Sequence, residues 1–283
     1  MDRLCVIGAG TMGVGIAQVA AQAGLDVTLL DSSAEALATG QRRLAASLAG
    51  GIERGKLTAE EAEDAGARIA WDTGRGGLSE ADCIIEAVFE DLAVKREVLR
   101  GVSAQARPDA VLATNTSTFR IGDLAQHCER PERFLGLHFF NPVPAMKLVE
   151  VIPHAHTSPT ATEGALALCE RLGKTALIAP DIPGFIVNRV FAALVAAAAD
   201  LWAAGADPAA IDEAVELGLA HKLGPLGSAD LVGLDVMLAI LRSLHAQTGD
   251  PRFSVPEGFA ELVAAGKLGR KSGEGFHRYG ETR

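Results

Sequence analysis

The chain has little cysteine, no basic excess and no uninterrupted apolar stretch, and each shortage removes a class of function. Its four cysteines, Cys5, Cys83, Cys128 and Cys169, lie far apart with no CxxC pair and no histidine-rich companion. Zinc sites and disulfide frameworks need close or paired thiols, so no metal and no cystine is expected, and reduced thiols suit a cytoplasmic protein. Lys and Arg number 26 against 36 Asp and Glu, a formal charge of -10. A general nucleic-acid surface must neutralise phosphates, so no nucleic-acid partner is expected and any anionic ligand must be held by a local patch. The most apolar run, FIVNRVFAALVAAAADLWAA, is interrupted by Asn188, Arg189 and Asp200, which argues against a membrane span. The start, MDRLCVIG, runs straight into a strand pattern without the charged and apolar regions of a signal peptide. Blocks of like charge, low-complexity segments and internal repeats are missing as well, so the 283 residues read as a folded, soluble protein long enough for two cores.

What is present is an alternation of short β-branched runs with helical stretches. LCVIG, DVTLLD, ARIAW, DCIIEAV, AVLAT and RFLGLH read as strands, and TMGVGIAQVAAQAG and LAVKREVLRGVSAQA between them read as helices. That order predicts a Rossmann-type α/β fold, a doubly wound, mostly parallel sheet covered by helices. Residues 33 to 66 are longer than a crossover needs. There Leu37, Leu44, Leu48 and Ile52 form one helical face, Gly50 and Gly51 weaken it, and LTAEEAED suggests a second helix. ATEGALALCERLG and KTALIA add a helix and a strand before the punctuation PDIPG. Beyond it FIVNRVFAALVAAAADLWAAG, PAAIDEAVELGLA and SADLVGLDVMLAILRSLHAQTG are helical, with no alternating pattern between them. The expected division is residues 1–183 and a smaller all-helical domain, 184–283.

Two groups of residues carry chemistry. GAGTMG follows the strand LCVI and opens a helix. In that context Gly8 permits the tight turn, Gly10 lets a pyrophosphate approach the backbone, and Gly13 lets helix and strand pack closely. The helix N-terminus supplies amides and a favourable dipole for phosphate. Asp31, ending DVTLLD, stands where a carboxylate binds both ribose hydroxyls and repels a 2'-phosphate, which favours NAD over NADP. The turn alone serves nicotinamide and flavin dinucleotides alike.

The second group lies in LGLHFFNPVPAMKLVEV, where His138 and Glu150 interrupt two apolar strands. A buried carboxylate is costly without a partner. The link between FLGLH and KLVEV is too short for a crossover helix, so the second strand returns antiparallel and can bring Glu150 to His138. A carboxylate on one ring nitrogen sets the tautomer and raises the basicity of the other, which makes a general base for alcohol oxidation. A purely structural His–Glu pair would have the same sequence signature. The run Asn115 to Thr118 in VLATNTST lies at the carboxyl end of a parallel strand, where ligands bind, although NTST also reads as a helix N-cap.

GAGTMG, NTST, HFFNPVP, KLVEV, PGFIVNR and GRKSGEGF, in that order, make the chain resemble the L-3-hydroxyacyl-CoA dehydrogenases, especially the short bacterial 3-hydroxybutyryl-CoA enzymes. The resemblance spans essentially the whole chain. It implies reversible hydride transfer between C3 of an L-3-hydroxyacyl-CoA and NAD, with His138 as base and acid, Glu150 as its partner, and Ser117 and Asn188 holding the reacting substrate. It also implies cofactor contacts at Gly8, Gly10, Thr11, Met12 and Gly13, at Asp31, Glu90 and Lys95, and at Ser117, Asn141 and Lys271. Ser47 and Arg54 match the family's CoA-binding residues; Lys56 is a competing cation. Without the resemblance, Glu90 and Lys95 would read as a solvated helix start and Lys271 as a surface lysine. A homodimer through the helical domain is implied too, although core packing explains the alanine-rich helices equally well. Thr118, Lys222, Gly227 and His277 depart from the family's usual serine, proline, larger residue and tyrosine. Two other functions are kept beside this one: an NAD-dependent dehydrogenase of a free hydroxy acid such as a sugar acid, separable by activity on CoA thioesters against free acids, and a non-catalytic NAD-binding homologue, recognisable by binding without turnover.

Overall fold

A computed structural model describes residues 1–74 and 76–280. The chain forms two compact units, Met1–Ile182 and Pro183–Arg283. In the first, β1 (Arg3–Ile7), β2 (Asp26–Leu30), β3 (Ile69–Asp72), β4 (Cys83–Glu86), β5 (Val111–Thr114), β6 (Phe134–Phe139), β7 (Leu148–Pro153) and β8 (Thr175–Ile178) build one sheet in the order β3-β2-β1-β4-β5-β6-β7-β8. Within this sheet β6 and β7 pair antiparallel and the other neighbours pair parallel. Strand order reverses beside β1, so a crevice opens at the carboxyl ends of β1 and β4, the usual ligand site of such sheets. Every residue of β4 and β5 is buried, which is why CIIE and VLAT do not alternate between apolar and polar.

Helices α1 (Thr11–Gln22), α2 (Ala34–Glu53), α3 (Ala59–Ala67), α4 (Leu92–Ser103), α5 (Ile121–Ala125) and α6 (Pro159–Arg171) connect the strands. Ser33 caps α2 by accepting from the Ala36 amide, and Thr58 and Glu61 form a reciprocal capping box on α3. Gly50 and Gly51 do not break α2. Its buried face is Leu37, Leu44, Leu48 and Gly51, while Ile52, expected on that face, is 40% exposed. The small Gly51 takes the inward seat because Leu57 fills the space: a methyl on Gly51 would come 2.8 Å from Leu57 Cδ1.

The second unit contains α7 (Val187–Ala203), α8 (Pro208–Leu219), α9 (Pro225–Val232), α10 (Leu234–Thr248) and α11 (Phe259–Ala264) around Ala192, Val195, Leu226, Met237, Leu241, Phe253 and Phe259. The stretch SADLVGLDVMLAILRSLHAQTG is helical as expected, in two pieces. Gly233 separates α9 from α10 with φ 104, a left-handed conformation that glycine alone adopts cheaply. Two departures from the family pattern meet at one carboxylate here. Asp212 Oδ2 accepts from the Gly227 amide at 2.7 Å and pairs with His277 Nε2 at 2.7 Å, so both residues belong to the seat that holds the start of α9. Lys222 is exposed and nothing in the structure explains it.

All four cysteines are buried free thiols. Burial pushes Cys5, Cys128 and Cys169 up to about 12 and raises Cys83 as well. Thiol reagents attack the thiolate, so the native protein is expected to give no fast reaction with Ellman's reagent and all four thiols after unfolding in guanidinium. Prompt native labelling of any one would contradict this burial.

Candidate active site

The antiparallel register sets His138 on β6 directly opposite Glu150 on β7. Cross-strand partners stand side by side on one face of a sheet, so the two polar side chains meet while Val149 and Val151 turn to the other face. Glu150 Oε2 lies 2.7 Å from His138 Nδ1, and the carboxylate is 1% exposed. An ionised carboxylate only accepts, so Nδ1 carries the ring proton and Nε2 is left as the acceptor. Ser117 Oγ stands 3.1 Å from Nε2 and donates to it. The Phe140 ring packs against the imidazole with centroids 4.5 Å apart.

Ser117 arrives on the loop that follows β5. Asn115 ties that loop to β6 by accepting from the Phe139 amide at 2.8 Å. Glu90 organises the rest. Its Oε1 accepts from Thr116 Oγ1 (2.6 Å), Ser117 N (2.8 Å), Thr118 N (3.0 Å) and Thr118 Oγ1 (2.7 Å), and its Oε2 pairs with Lys95 Nζ at 3.1 Å. Burial raises the Glu90 carboxyl, but the Lys95 charge and these hydrogen bonds outweigh it and hold the group below the usual carboxylate range. Thr118, the departure from serine, keeps the hydroxyl this arrangement uses. Lys95 is not a solvated helix residue: it is fully buried and pairs with Glu86 Oε1 at 2.8 Å. Glu86 was missed in the sequence, although DCIIEAV carries the signal that exposed Glu150, a carboxylate inside an apolar strand.

The glycine turn lies between β1 and α1. A methyl on Gly13 would come 1.8 Å from the Gly8 carbonyl oxygen, and one on Gly8 2.6 Å from the Ala87 oxygen, so both positions are closed to any side chain. Gly10 faces open space, and no side chain caps the N-terminus of α1. Asp31 follows β2, its Oδ2 accepting from the Ala9 amide at 2.8 Å and its Oδ1 from Ser33 N at 3.0 Å.

Residues 3–182 match the family model described as 3-hydroxyacyl-CoA dehydrogenase, NAD binding domain, and residues 184–279 match 3-hydroxyacyl-CoA dehydrogenase, C-terminal domain. The chain belongs to the 3-hydroxyacyl-CoA dehydrogenase family. A probable 3-hydroxybutyryl-CoA dehydrogenase of Bacillus subtilis is 42% identical over 282 residues, covering 99% of this chain and 98% of that protein. The 3-hydroxybutyryl-CoA dehydrogenase of Clostridioides difficile is 37% identical over 98% of this chain and 99% of its own. The crystal structure of (S)-3-hydroxybutyryl-CoA dehydrogenase from Ralstonia eutropha superposes with a TM-score of 0.94 at 39% identity, covering 99% of this chain and 100% of that one.

As a member of this family the protein is an NAD-dependent oxidoreductase, and its residues fit the cofactor. Gly10 leaves the approach to the backbone open, the uncapped α1 offers amides to a pyrophosphate, and Asp31 retains acceptor capacity for ribose hydroxyls. Gly10→Ala is expected to leave the melting temperature unchanged, because its methyl meets no protein atom, and to raise KM for NADH about tenfold, a loss of about 1.4 kcal/mol of binding. An unchanged KM would place the pyrophosphate elsewhere. Other residues matched to the family are distributed along the molecule. Asn141 is exposed on the loop after β6. Ser47 lies in α2 and Arg54 is the C-cap of that helix, with its guanidinium folded back over Gly50. In the second unit, Asn188 is on the first turn of α7, and Lys271 pairs with Asp235 at 2.5 Å beside Gly233.

Proposed function

We propose that the protein interconverts (S)-3-hydroxybutyryl-CoA and acetoacetyl-CoA with NAD, and that His138, Glu150 and Ser117 carry the proton chemistry. The Ser117–His138–Glu150 hydrogen-bond chain is the observation that supports this most strongly. Bound NAD supplies the hydride acceptor at its nicotinamide ring. In oxidation His138 Nε2 takes the C3 hydroxyl proton, and Glu150 stabilises the imidazolium that results. In reduction the same nitrogen returns the proton to the C3 oxygen. Ser117 holds the substrate oxygen in line with Nε2, and Asn188 keeps the family's role of holding the reacting substrate. Ser47 and Arg54 receive the CoA end, a local cationic site on an otherwise acidic chain. Glu90, Asn141 and Lys271 match the family's cofactor contacts, while the buried Lys95 acts through Glu90.

The first unit is then the NAD-binding domain and the second the substrate and dimerisation domain. Exposed Val190, Leu201, Leu217, Leu219 and Leu231 on α7, α8 and α9 support a homodimer through that unit. No helix among the described residues is long and apolar enough to cross a membrane. Together with the buried free thiols, this supports a cytoplasmic metabolic enzyme.

The deciding assay is NADH oxidation with acetoacetyl-CoA, repeated with NADPH and with longer 3-oxoacyl thioesters. Fast NADH-dependent turnover of the short substrate is expected, with little from NADPH because the Asp31 carboxylate repels a 2'-phosphate. A folded, NADH-binding protein that ignores CoA thioesters but reduces a free oxo acid would overturn the substrate assignment.

A further inference from the structure

The loop that presents Ser117 is held by more charge than a loop needs. Four donors converge on the single Glu90 Oε1, more than the two lone pairs of a neutral carbonyl accept well, so the arrangement calls for a full negative charge. That charge is neutralised by Lys95, whose side chain is 1% exposed and therefore has no water to share. Lys95 is pinned in turn by Glu86, which is wholly buried. Glu86 Oε1 accepts from Lys95 Nζ at 2.8 Å and from Val88 N at 2.8 Å, and its Oε2 accepts from Thr114 Oγ1 at 2.7 Å. Glu86 and Lys95 are both buried, whereas the Glu90 side chain is 36% exposed, and a buried ion pair is a costly choice where packed apolar residues would stabilise as well. What the charges achieve is geometric. They tie the rigid ends of β4 and β5 to the loop, and so to the Ser117 hydroxyl that lies 3.1 Å from His138 Nε2.

We propose that Glu86, Lys95 and Glu90 form an ionic chain, buried at Glu86 and Lys95, that positions Ser117 against His138, with Glu86 and Lys95 as positioning residues acting through Glu90. The proposal rests on the dehydrogenase assignment for its kinetic consequence and on the protein alone for its structural one. Misplacement by about 1 Å can cost up to about 100-fold in rate. Glu86→Gln keeps the size and one acceptor oxygen while removing one charge and turning the other terminal atom into a donor that Thr114 Oγ1 can accept from, so a loss of about tenfold in kcat for acetoacetyl-CoA reduction is expected, with KM for NADH little changed. Lys95→Met is expected to lose more.

The test combines these variants with Ser117→Ala, monitors folding by circular dichroism, and reads the His138 side-chain nitrogens by 15N NMR in histidine-labelled protein, with His138→Asn for assignment. If the chain works through Ser117, Glu86→Gln and Lys95→Met cost nothing further in the Ser117→Ala background, and they move the His138 Nε2 resonance in the direction that Ser117→Ala moves it. A general weakening of the fold would instead multiply with the serine loss and leave that resonance in place, and this result overturns the proposal. So does a folded Glu86→Gln variant with unchanged kcat and an unmoved resonance. Should Lys95→Met fail to fold, the isosteric Glu86→Gln carries the decision. A wild type without turnover sinks the dehydrogenase assignment, while the nitrogen resonance still decides the ionic chain.

Discussion

His138→Ala is expected to lower kcat for acetoacetyl-CoA reduction by about 1,000-fold while NADH binding and the melting transition survive. Its Nε2 is the acceptor left by the Nδ1–Glu150 bond and stands beside Ser117, so it is the group placed to exchange a proton with the C3 oxygen. General acid–base groups contribute about 100- to 10,000-fold, and the alanine variant leaves Glu150 facing a gap rather than a substitute base. Glu150→Gln separates two contributions. The glutamine oxygen can still accept from Nδ1, so the ring stays oriented, but the charge that stabilises the imidazolium is gone; a loss of about 100-fold is expected. Single-turnover kinetics with preformed enzyme–NADH complex measure the chemical step directly. A His138→Ala enzyme within tenfold of wild type would remove the acid–base assignment altogether and leave the pair a structural one.

The largest stability loss is expected at Asp230, in the helical unit. This carboxylate is 1% exposed; its Oδ1 accepts from Phe276 N at 3.0 Å, and its Oδ2 from His277 N and the Tyr279 hydroxyl, both at 2.9 Å. Burial, together with the bond to Asp230, pushes Tyr279 up to about 12, so the hydroxyl remains a donor at neutral pH. Glycines crowd the same group: a methyl on Gly275 would come 2.0 Å from Asp230 Oδ1, and one on Gly269 2.3 Å from the Asp230 carbonyl oxygen. The GRKSGEGF segment is therefore built around Asp230, a structural role its sequence did not announce. Asp230→Ala strips one buried and two half-buried donors of their buried acceptor, at about 1–3 kcal/mol for each group left unsatisfied, so a loss of about 3 kcal/mol is expected in urea titration. Asp230→Asn, which keeps one strong acceptor, should lose less. A change under about 1 kcal/mol for the alanine variant would mean that the segment is held by its aromatic contacts, Phe276 against Trp202 and Phe259, and not by the carboxylate.

Much of the first unit was legible in the sequence because its signals are local. The strand-turn-helix context of Gly8, Gly10 and Gly13 lies within one supersecondary unit, and strand periodicity depends on neighbours two residues apart. The short link from β6 to β7 made an antiparallel return, and hence the His138–Glu150 encounter, readable across 12 residues. Where a choice turned on who fills a space, local pattern failed. Ile52 continued the apolar spacing of α2 but lost the inward seat to Gly51, because Leu57 folds back there. The break between α9 and α10 at Gly233 was not marked by the apolar pattern, because it rests on a positive φ.

The sequence by itself determined a doubly wound sheet, a dinucleotide turn ending at an acidic residue, and a histidine and a glutamate that needed each other. Only the tertiary structure decided what holds Ser117 to His138. The Glu90 bond to Ser117 spans 27 residues, and the Asp230 bond to His277 spans 47. Such contacts exist only once strands have paired and loops have closed, since a charged residue's partner is set by where the backbone carries it and not by its neighbours along the chain. Glu86 shows the difference. In the sequence it is one acid in a strand; in the folded protein it anchors the ammonium that fixes the serine loop.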